Sequence, residues 1–592
     1  MPLPRGPLLL ALGVTLLFDV LRVFLPSLIT LFGRAGETPP ELMGLYAAAW
    51  FILPFLAALV RPRWALAGGA LALVLARLLL QAEFSQLYVA SAGVSAGLVF
   101  LYGSARTMPR TWAAPGIMGG LALSFTVHFL LDGVDLVWRE GPLPWLASAT
   151  LCAVFLALTW GFRPPPEADP APWSVWFLAG PVMLVAGMSA TAQRTDAGPG
   201  AGWLWVVPVV LAFVFSPYLA TRPPRSTSSA IGFGVLCAAG AAFLQPWAVV
   251  VGAAVLMAVP GGAARRPGAA LLGGGLVFFL GLFAYYAAYD MNLGFPNRLV
   301  PVAAGLLIAG VGLSAYFRHR PPSYDLGRIW PLTAGALVVA LLVGAAAYQP
   351  AAAVRAKEGD TFTLIAYNIR MGFDLDGRLS LDRIAAWAGA QEPDVVLLSE
   401  VDRGWLLNGG HDDLARIARR LGMNYYFAPA ADELWGDAVL TSLPIQPPVS
   451  HRLGRHDYPT GAQAQTFVVE VGGKEVGIVN THLQAPEGQA PEVAAIVRDL
   501  RAGGRPVVLA GDLNLRHGDP GLRVLESAGL SDPLVALGDP PTSPADAPKE
   551  RIDHVLVSEG VTVVSATVPR LRYSDHLPVL ALLRITSVDH QG

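Results

Sequence analysis

Thirteen apolar runs occupy the first 350 residues, beginning near positions 7, 42, 64, 85, 112, 143, 173, 202, 229, 247, 268, 299 and 329. As a helix, a run of roughly 20 apolar residues crosses about 30 Å of hydrocarbon. A bilayer offers the backbone no water, so only helices and closed barrels satisfy their polar groups there. The expected fold of 1–350 is therefore a polytopic α-helical membrane domain of about 13 spans, consistent with 54% hydrophobic residues and a mean hydropathy of +0.50. The first run follows Arg5 as a signal peptide would, but it continues to about residue 32, carries Asp19 and Arg22 and lacks a small-residue cleavage site. It reads as a retained helix.

The stretch 229–261 decides the parity of the count, and Gln245-Pro246 reads as a break between two short helices. On that reading the N-terminus and even loops hold Arg5, Arg61, Arg63, Arg106, Arg110, Arg163, Arg222, Arg225, Arg265, Arg266, Arg318, Arg320 and Arg328. The odd loops hold only Arg34, Arg139, Arg194 and Arg298. The positive-inside rule then makes the even side cytoplasmic and sends the segment after the last span outside. The Pro-rich loop 162–172 separates six spans from seven and reads as a semi-rigid linker. Charge inside a bilayer is costly and therefore informative. Asp19 and Arg22, three residues apart in mid-span, are expected to pair along one helix. His128, Asp132 and Asp135 near the outer end of the fifth span, with Arg77 near the outer end of the third, are candidates to line a headgroup or substrate cavity. The competing reading places them simply at the interface.

Residues 1–350 hold 19 Lys+Arg against 12 Asp+Glu, a balance of +7, whereas 351–592 hold 22 against 31, a balance of −9. The only cysteines, Cys152 and Cys237, lie inside apolar runs, which excludes a disulfide framework or a cysteine zinc site. After a short linker at 351–360, residues 361–586 alternate β-rich runs such as "TFTLIAYNI" and "DVVLLSEV" with amphipathic helical segments, the pattern of a layered α/β domain, and 587–592 form a tail. Polar residues that a strand core does not need stand at strand ends: Asn368, Glu400, His482, Asp512 with Asn514, Asp553, and Asp575 with His576. Singly, each has a dull explanation as a turn, cap or core residue. Together they make a chemical kit. Carboxylate and amide oxygens suit a hard cation such as Mg²⁺, histidines contact phosphoryl oxygens or move protons near neutral pH, and an Asp orients water. In the run "VVLAGDLN" the strand period is expected to put Asp512 and Asn514 on one face. No glycine-rich nucleotide cradle accompanies the kit, so metal-assisted hydrolysis is the indicated reaction class.

In order along the chain, "AYNIRMGFDLDGRLSLDRI", "PDVVLLSEVDR", "WGDAVLTSLPI", "NTHL", "GDLN", "RIDHVLV" and "SDHLPV" resemble the motifs of the endonuclease/exonuclease/phosphatase superfamily. The resemblance covers about 361–586. It implies a four-layer α/β sandwich that cleaves phosphoesters with Mg²⁺ or Mn²⁺. By motif it makes Glu400 a metal ligand, with Asn368 beside it and Asp575 near the metal. It makes His482 a phosphate contact, and Asp512 and Asn514 the pair that orients the attacking water and transition-state oxygens. His576 becomes the second essential histidine, with Asp553 as its carboxylate partner. Three positions depart from the pattern: "LSE" replaces the commoner "LQE", Asp437 of "GDA" stands where Asn is commoner, and Arg370 stands where some nucleases carry an acid. Many spans followed by such a domain also resemble the eukaryotic membrane proteins that remodel GPI-anchor lipid, of the PGAP2-interacting type, locally through "NGGHDDLARIARRLGMNYYFAPA" ahead of "WGDAVLTSLPI".

The sequence thus points to a membrane-embedded, metal-dependent phosphodiesterase whose substrate is a membrane lipid or lipid-linked phosphoester outside the cytoplasmic membrane. A tethered nuclease is the first alternative. The −9 balance of the tail and the lack of a Lys/Arg run longer than Arg419-Arg420 make nucleic acid the less favoured partner. A lipid transporter or scaffold with a non-catalytic tail is the second, and the complete kit argues against it. About a dozen residues join the last span to the first strand, a leash of at most roughly 40 Å. No protein partner is indicated.

Overall fold

The computed structural model describes residues 5–34, 38–163, 171–191, 202–259, 266–289, 291–319 and 330–586. Most of the Pro-rich loop, Arg194, Arg265, Arg320, Arg328 and the tail 587–592 lie outside the described residues. The chain divides into two compact units: Met1–Gln193 with Ala201–Tyr348 and Leu406–Gly410, and the remainder.

In the first unit the apolar runs fold as α1 (Arg5–Ser27), α2 (Pro40–Ile52), α3 (Pro62–Gln81), α4 (Gln86–Ala105), α5 (Arg110–Leu130), α6 (Pro142–Trp160), α7 (Trp173–Thr191), α8 (Gly202–Leu219), α9 (Thr227–Ala242), α10 (Pro246–Met257), α11 (Pro267–Tyr286), α12 (Leu299–His319) and α13 (Trp330–Ala347). Proline opens α2, α3, α6, α10 and α11, where its missing N–H costs nothing and its φ is already helical. Among the described residues nine helices are long and apolar enough to cross a membrane, and four are shorter. The stretch 229–261 is two helices, α9 and α10, broken at Gln245. At roughly 18 Å by the 1.5 Å rise, α10 alone is shorter than a hydrocarbon core. Small residues let backbones approach: a Cβ on Gly180 of α7 would stand 1.9 Å from the Gly274 carbonyl of α11, so the two helices cross on glycine.

Asp19 and Arg22 do not form the ion pair expected along α1. Asp19 meets Arg77 of α3 at 3.5 Å, while Arg22 meets Asp135 at 3.7 Å and donates to Ser124 of α5 at 2.9 Å. Buried charges require partners, and the partners here come from α3 and from the connection after α5 rather than from the next turn of the same helix. The Arg22 guanidinium also lies over the Phe125 ring, 4.8 Å from its centre. Of the residues singled out from the sequence, His128 and Asp135 are joined (Nδ1 to Oδ1, 3.0 Å). Arg77 belongs to a separate group with Asp19, Gln81 and Ser148. Asp132 sits in the turn after α5 with φ 58°.

The second unit contains two six-stranded sheets. One has the order β11 (Val561–Thr567), β12 (Val579–Ile585), β1 (Thr361–Asn368), β2 (Val395–Asp402), β4 (Trp435–Thr441), β3 (Asn424–Pro429). The other runs β5 (Val449–Arg452), β6 (Gln463–Val471), β7 (Lys474–Thr481), β8 (Val507–Asp512), β10 (Asp553–Ser558), β9 (Leu530–Ser531). Between them lies a core of alternate strand residues including Leu364, Leu397, Ile478, Val508 and Val555, each adding roughly 1.5–3 kcal/mol over the exposed state. Against the outer face of the first sheet pack α14 (Leu381–Gly389) and α15 (Asp413–Leu421), and against the second α16 (Pro486–Arg501) and α17 (Pro520–Ser527). Leu381, Ile384, Ala385 and Ala388 of α14 recur at the helical period and are all buried. The result is the four-layer α/β sandwich.

Candidate active site

The polar residues gather where β1 and β2, parallel neighbours in one sheet, end opposite β7 and β8, parallel neighbours in the other. Asn368 is the last residue of β1 and Asp512 the last of β8, while Asp553 opens β10 directly across from Asp512 in the antiparallel ladder. Glu400 owes its aim to an irregularity. The β2–β4 register shifts between Leu398 and Val401, and Glu400 takes a left-handed φ of 54°. A bulge of this kind turns one side chain out of the strand's alternation, at a backbone cost of order 1–3 kcal/mol.

The Asn368 amide bridges the sheets, donating from Nδ2 to Glu400 Oε1 and to Asp512 Oδ2, both at 3.0 Å. Asp512 Oδ2 also lies 3.6 Å from His482 Nε2 and 3.7 Å from His576 Nδ1. His576 Nδ1 donates to Asp553 Oδ2 at 2.9 Å. Burial works against a charged His576, but Asp553 and Asp512 outweigh it and hold the imidazole well above its ordinary pKa. Ser574 donates to the Asn368 carbonyl at 2.8 Å, which fastens the 574–576 segment to the end of β1.

Asp512 and Asn514 do not share a strand face as the sequence period suggested, because β8 ends at Asp512 and Asn514 follows with φ 50°. A turn replaces the strand: Asp512 Oδ1 accepts from the Asn514 N–H at 3.0 Å, the self-capping geometry that Asp favours. Asn514 Nδ2 then reaches the Leu483 carbonyl at 2.8 Å and lies 3.3 Å from His482 Nε2, at the exposed mouth of the site. The preceding Gly511 has φ 136°, and a Cβ there would stand 2.1 Å from the Thr481 carbonyl of β7. No other residue fits.

The donor set suits a divalent cation. Glu400 and Asp512, bridged by Asn368, present carboxylate oxygens of the kind Mg²⁺ and Mn²⁺ prefer, and the neighbouring Asp553 Oδ1 is buried without a hydrogen-bond partner. Burial raises the Glu400 carboxyl above its usual range despite nearby His482, and Glu400 has no ion pair among the described residues. Asn368 Oδ1 accepts from the Arg370 N–H at 3.0 Å, and Asp575 pairs with Arg370 at 3.2 Å. Of the three ligands expected from sequence, Glu400 therefore offers its charge most directly. Asp512, Asp553 and His576 also lie within metal-binding distance of one another. The His576 Nδ1 hydrogen bond to Asp553 ties up one ligand atom of each, so a proton on His576 competes with a metal at this group.

Asp437 is the site residue that motif reading left without a role. It lies on β4, wholly buried, with Oδ2 accepting from Gln463 Nε2 at 2.7 Å and Oδ1 unpartnered. Burial, reinforced by Asp512 and Glu400, pushes its carboxyl up to about 7 against the pull of His482 and Gln463. The folded domain thus keeps a proton that the unfolded chain loses near pH 4. The associated stability is full at low pH and is lost as pH rises through about 7, an effect on the order of a few kcal/mol. In chelator-treated protein, Asp437→Asn is expected to raise the unfolding temperature by several degrees at pH 8 and little at pH 4. An equal change at both pH values in a thermal-unfolding series would contradict the buried, protonated Asp437.

Residues 365–576 match the model of the Endonuclease/Exonuclease/phosphatase family. The match covers about a third of the chain, the part that carries both sheets. Family members are hydrolases acting on phosphoesters, often with a divalent metal. Solved structures similar to the family domain include an endonuclease/exonuclease/phosphatase from Beutenbergia cavernae, at 26% identity over 38% of this chain and 72% of that one, with a TM-score of 0.35. A Bacteroides thetaiotaomicron mannosyl-6-phosphatase shares 19% identity over 38% and 99%, TM-score 0.32. The human Nocturnin catalytic domain with bound sulfate shares 20% over 38% and 94%, TM-score 0.32. No curated protein matches the chain.

Proposed function

We propose that the protein is a membrane-embedded, metal-dependent phosphodiesterase acting on a phospholipid headgroup or a lipid-linked phosphoester, with the family domain outside the cytoplasmic membrane. The observation that carries the hydrolytic reading is the convergence of Asn368, Glu400, His482, Asp512, Asp553 and His576 from both sheets within hydrogen-bonding reach. Asp512, held by Asn368, takes the proton from the attacking water. His482 and the Asn514 amide donate to the non-bridging phosphoryl oxygens, and the charged His576, steadied by Asp553, stabilises the negative charge that develops there. Glu400 would hold a Mg²⁺ or Mn²⁺ ion, which when bound would supply Lewis-acid stabilisation of the phosphoryl group.

The lipid part of the proposal rests on the apolar helices and the short leash. Tethering raises the effective concentration of anything in the adjoining leaflet, which favours a lipid-borne phosphoester over a dissolved polymer. The likeness to GPI-lipid remodelling proteins falls within this reading. Full-length protein reconstituted in bilayers is expected to turn over phospholipid or lipid-linked phosphodiester at least tenfold faster than single- or double-stranded DNA or RNA at matched phosphate concentration. Faster cleavage of nucleic acid would replace the lipid reading with that of a tethered nuclease.

A further inference from the structure

Two cavities line α12, and neither belongs to the site described above. Near the start of the helix a cavity of about 460 Å³ has almost wholly apolar walls, among them Leu184 of α7, Leu280 of α11, Phe295 and Leu299. Near its end a second cavity, of about 340 Å³, is lined by Trp173 and Ser174 of α7 and by Gly310, Ser314, Arg318 and His319 of α12. Leu307 lines both, so together they follow the helix, which is roughly 30 Å long at 1.5 Å per residue. Polarity is graded along this path: apolar for most of its length, with hydroxyls, an indole and two basic side chains at one end.

Among the described residues the charge at that end has no acidic partner. Arg318 and His319 are exposed, no acidic residue lines either cavity, and neither side chain has an ion pair among the described residues. Basic residues in a last helical turn also balance the helix dipole. That role does not require the concave wall, the facing Trp173 and Ser174, or the apolar continuation past Leu307. Tryptophan at the polar rim is the usual marker of a membrane–water boundary, and basic pockets between helices take anionic headgroups. Gly310 borders open space, since a Cβ there would meet nothing within 4 Å.

We propose that the groove along α12 holds one anionic phospholipid, with its phosphate at Arg318, His319 and Ser174 and an acyl chain running over Leu307 toward Phe295. The inference rests on the reading of the first unit as membrane-embedded and is independent of which phosphoester the family domain cleaves. The test uses full-length protein in mild detergent, incubated with phosphatidylglycerol or phosphatidylcholine of the same chain length and examined by native mass spectrometry. Wild type is expected to retain phosphatidylglycerol at roughly tenfold lower lipid concentration than phosphatidylcholine. The double substitution Arg318→Gln with His319→Gln should abolish that preference, and Gly310→Phe should remove both adducts. Hydrolysis of a soluble phosphodiester, unchanged in each variant, reports that the protein is folded. If Gly310→Phe fails that control, the charge variant decides alone. Equal retention of the two lipids by wild type, or a preference that survives the charge substitutions, overturns the groove site. Protein that needs no detergent and does not float with vesicles overturns the membrane reading and the site together.

Discussion

Asp512→Ala is expected to lower hydrolysis of a soluble phosphodiester by the full-length protein by about 10²-fold or more, equivalent to roughly 2.7 kcal/mol of transition-state stabilisation. Asp512 is the node of the site, with contacts to Asn368, His482 and His576 and a turn to Asn514. Its removal therefore takes away the proton acceptor and releases four neighbours together. His576→Ala should cost a similar factor, because it removes the one ring held cationic by two carboxylates. The double variant should lose little beyond the worse single one, since groups that act as a unit are not additive. Steady-state rates above about a tenth of wild type for Asp512→Ala would end the assignment.

The second large effect concerns the metal. Chelation of the detergent-solubilised protein should reduce activity to background, and Mg²⁺ or Mn²⁺ should restore it. Glu400→Gln should raise the metal concentration needed for half-maximal rate by at least tenfold, because it removes a buried carboxylate charge that no Lys or Arg ion pair among the described residues neutralises. The same reagent reports orientation. In sealed right-side-out vesicles a chelator that does not cross the bilayer should stop hydrolysis when added outside. Activity that survives external chelator but not lysis would put the family domain on the cytoplasmic side, against the arginine distribution. Activity that survives chelation in detergent would remove the metal from the mechanism.

The parts of this molecule legible in the sequence are those set by local pattern. Each expected apolar run has a helix starting within two residues of the anticipated position, because length and hydropathy alone distinguish it. The gathering of Asn368, Glu400, His482, Asp512, Asp553 and His576 was legible because polar residues at the ends of apolar strands have few structural reasons to be there. What escaped was set by partners distant in sequence. Spacing along α1 favoured an Asp19–Arg22 pair, but Arg77 and Asp135 claimed the two charges from elsewhere in the unit. Strand alternation placed Asp512 and Asn514 together for the wrong reason, since the side-chain turn and a left-handed backbone do the work. The bulge that aims Glu400 leaves no mark in the local sequence. The substitution at Asp437 was visible, but its burial against Gln463, contributed by another strand, was not.

The position of β12 bears on how the enzyme is made. The last strand of the family domain lies between β11 and β1, pairing with the first strand from Thr361↔Arg584 to Ala366↔Val579. A ribosome adding roughly 5–20 residues per second emits β1 about 10 to 40 seconds before its partner exists. Throughout that interval one edge of the sheet is bare, and His576, just upstream of β12, has not yet been joined to the chain. A nascent or prematurely terminated polypeptide therefore carries Asn368, Glu400 and even Asp512 while still lacking His576. The sheet is completed only with β12, and until then β1 keeps an open edge that can pair with another chain.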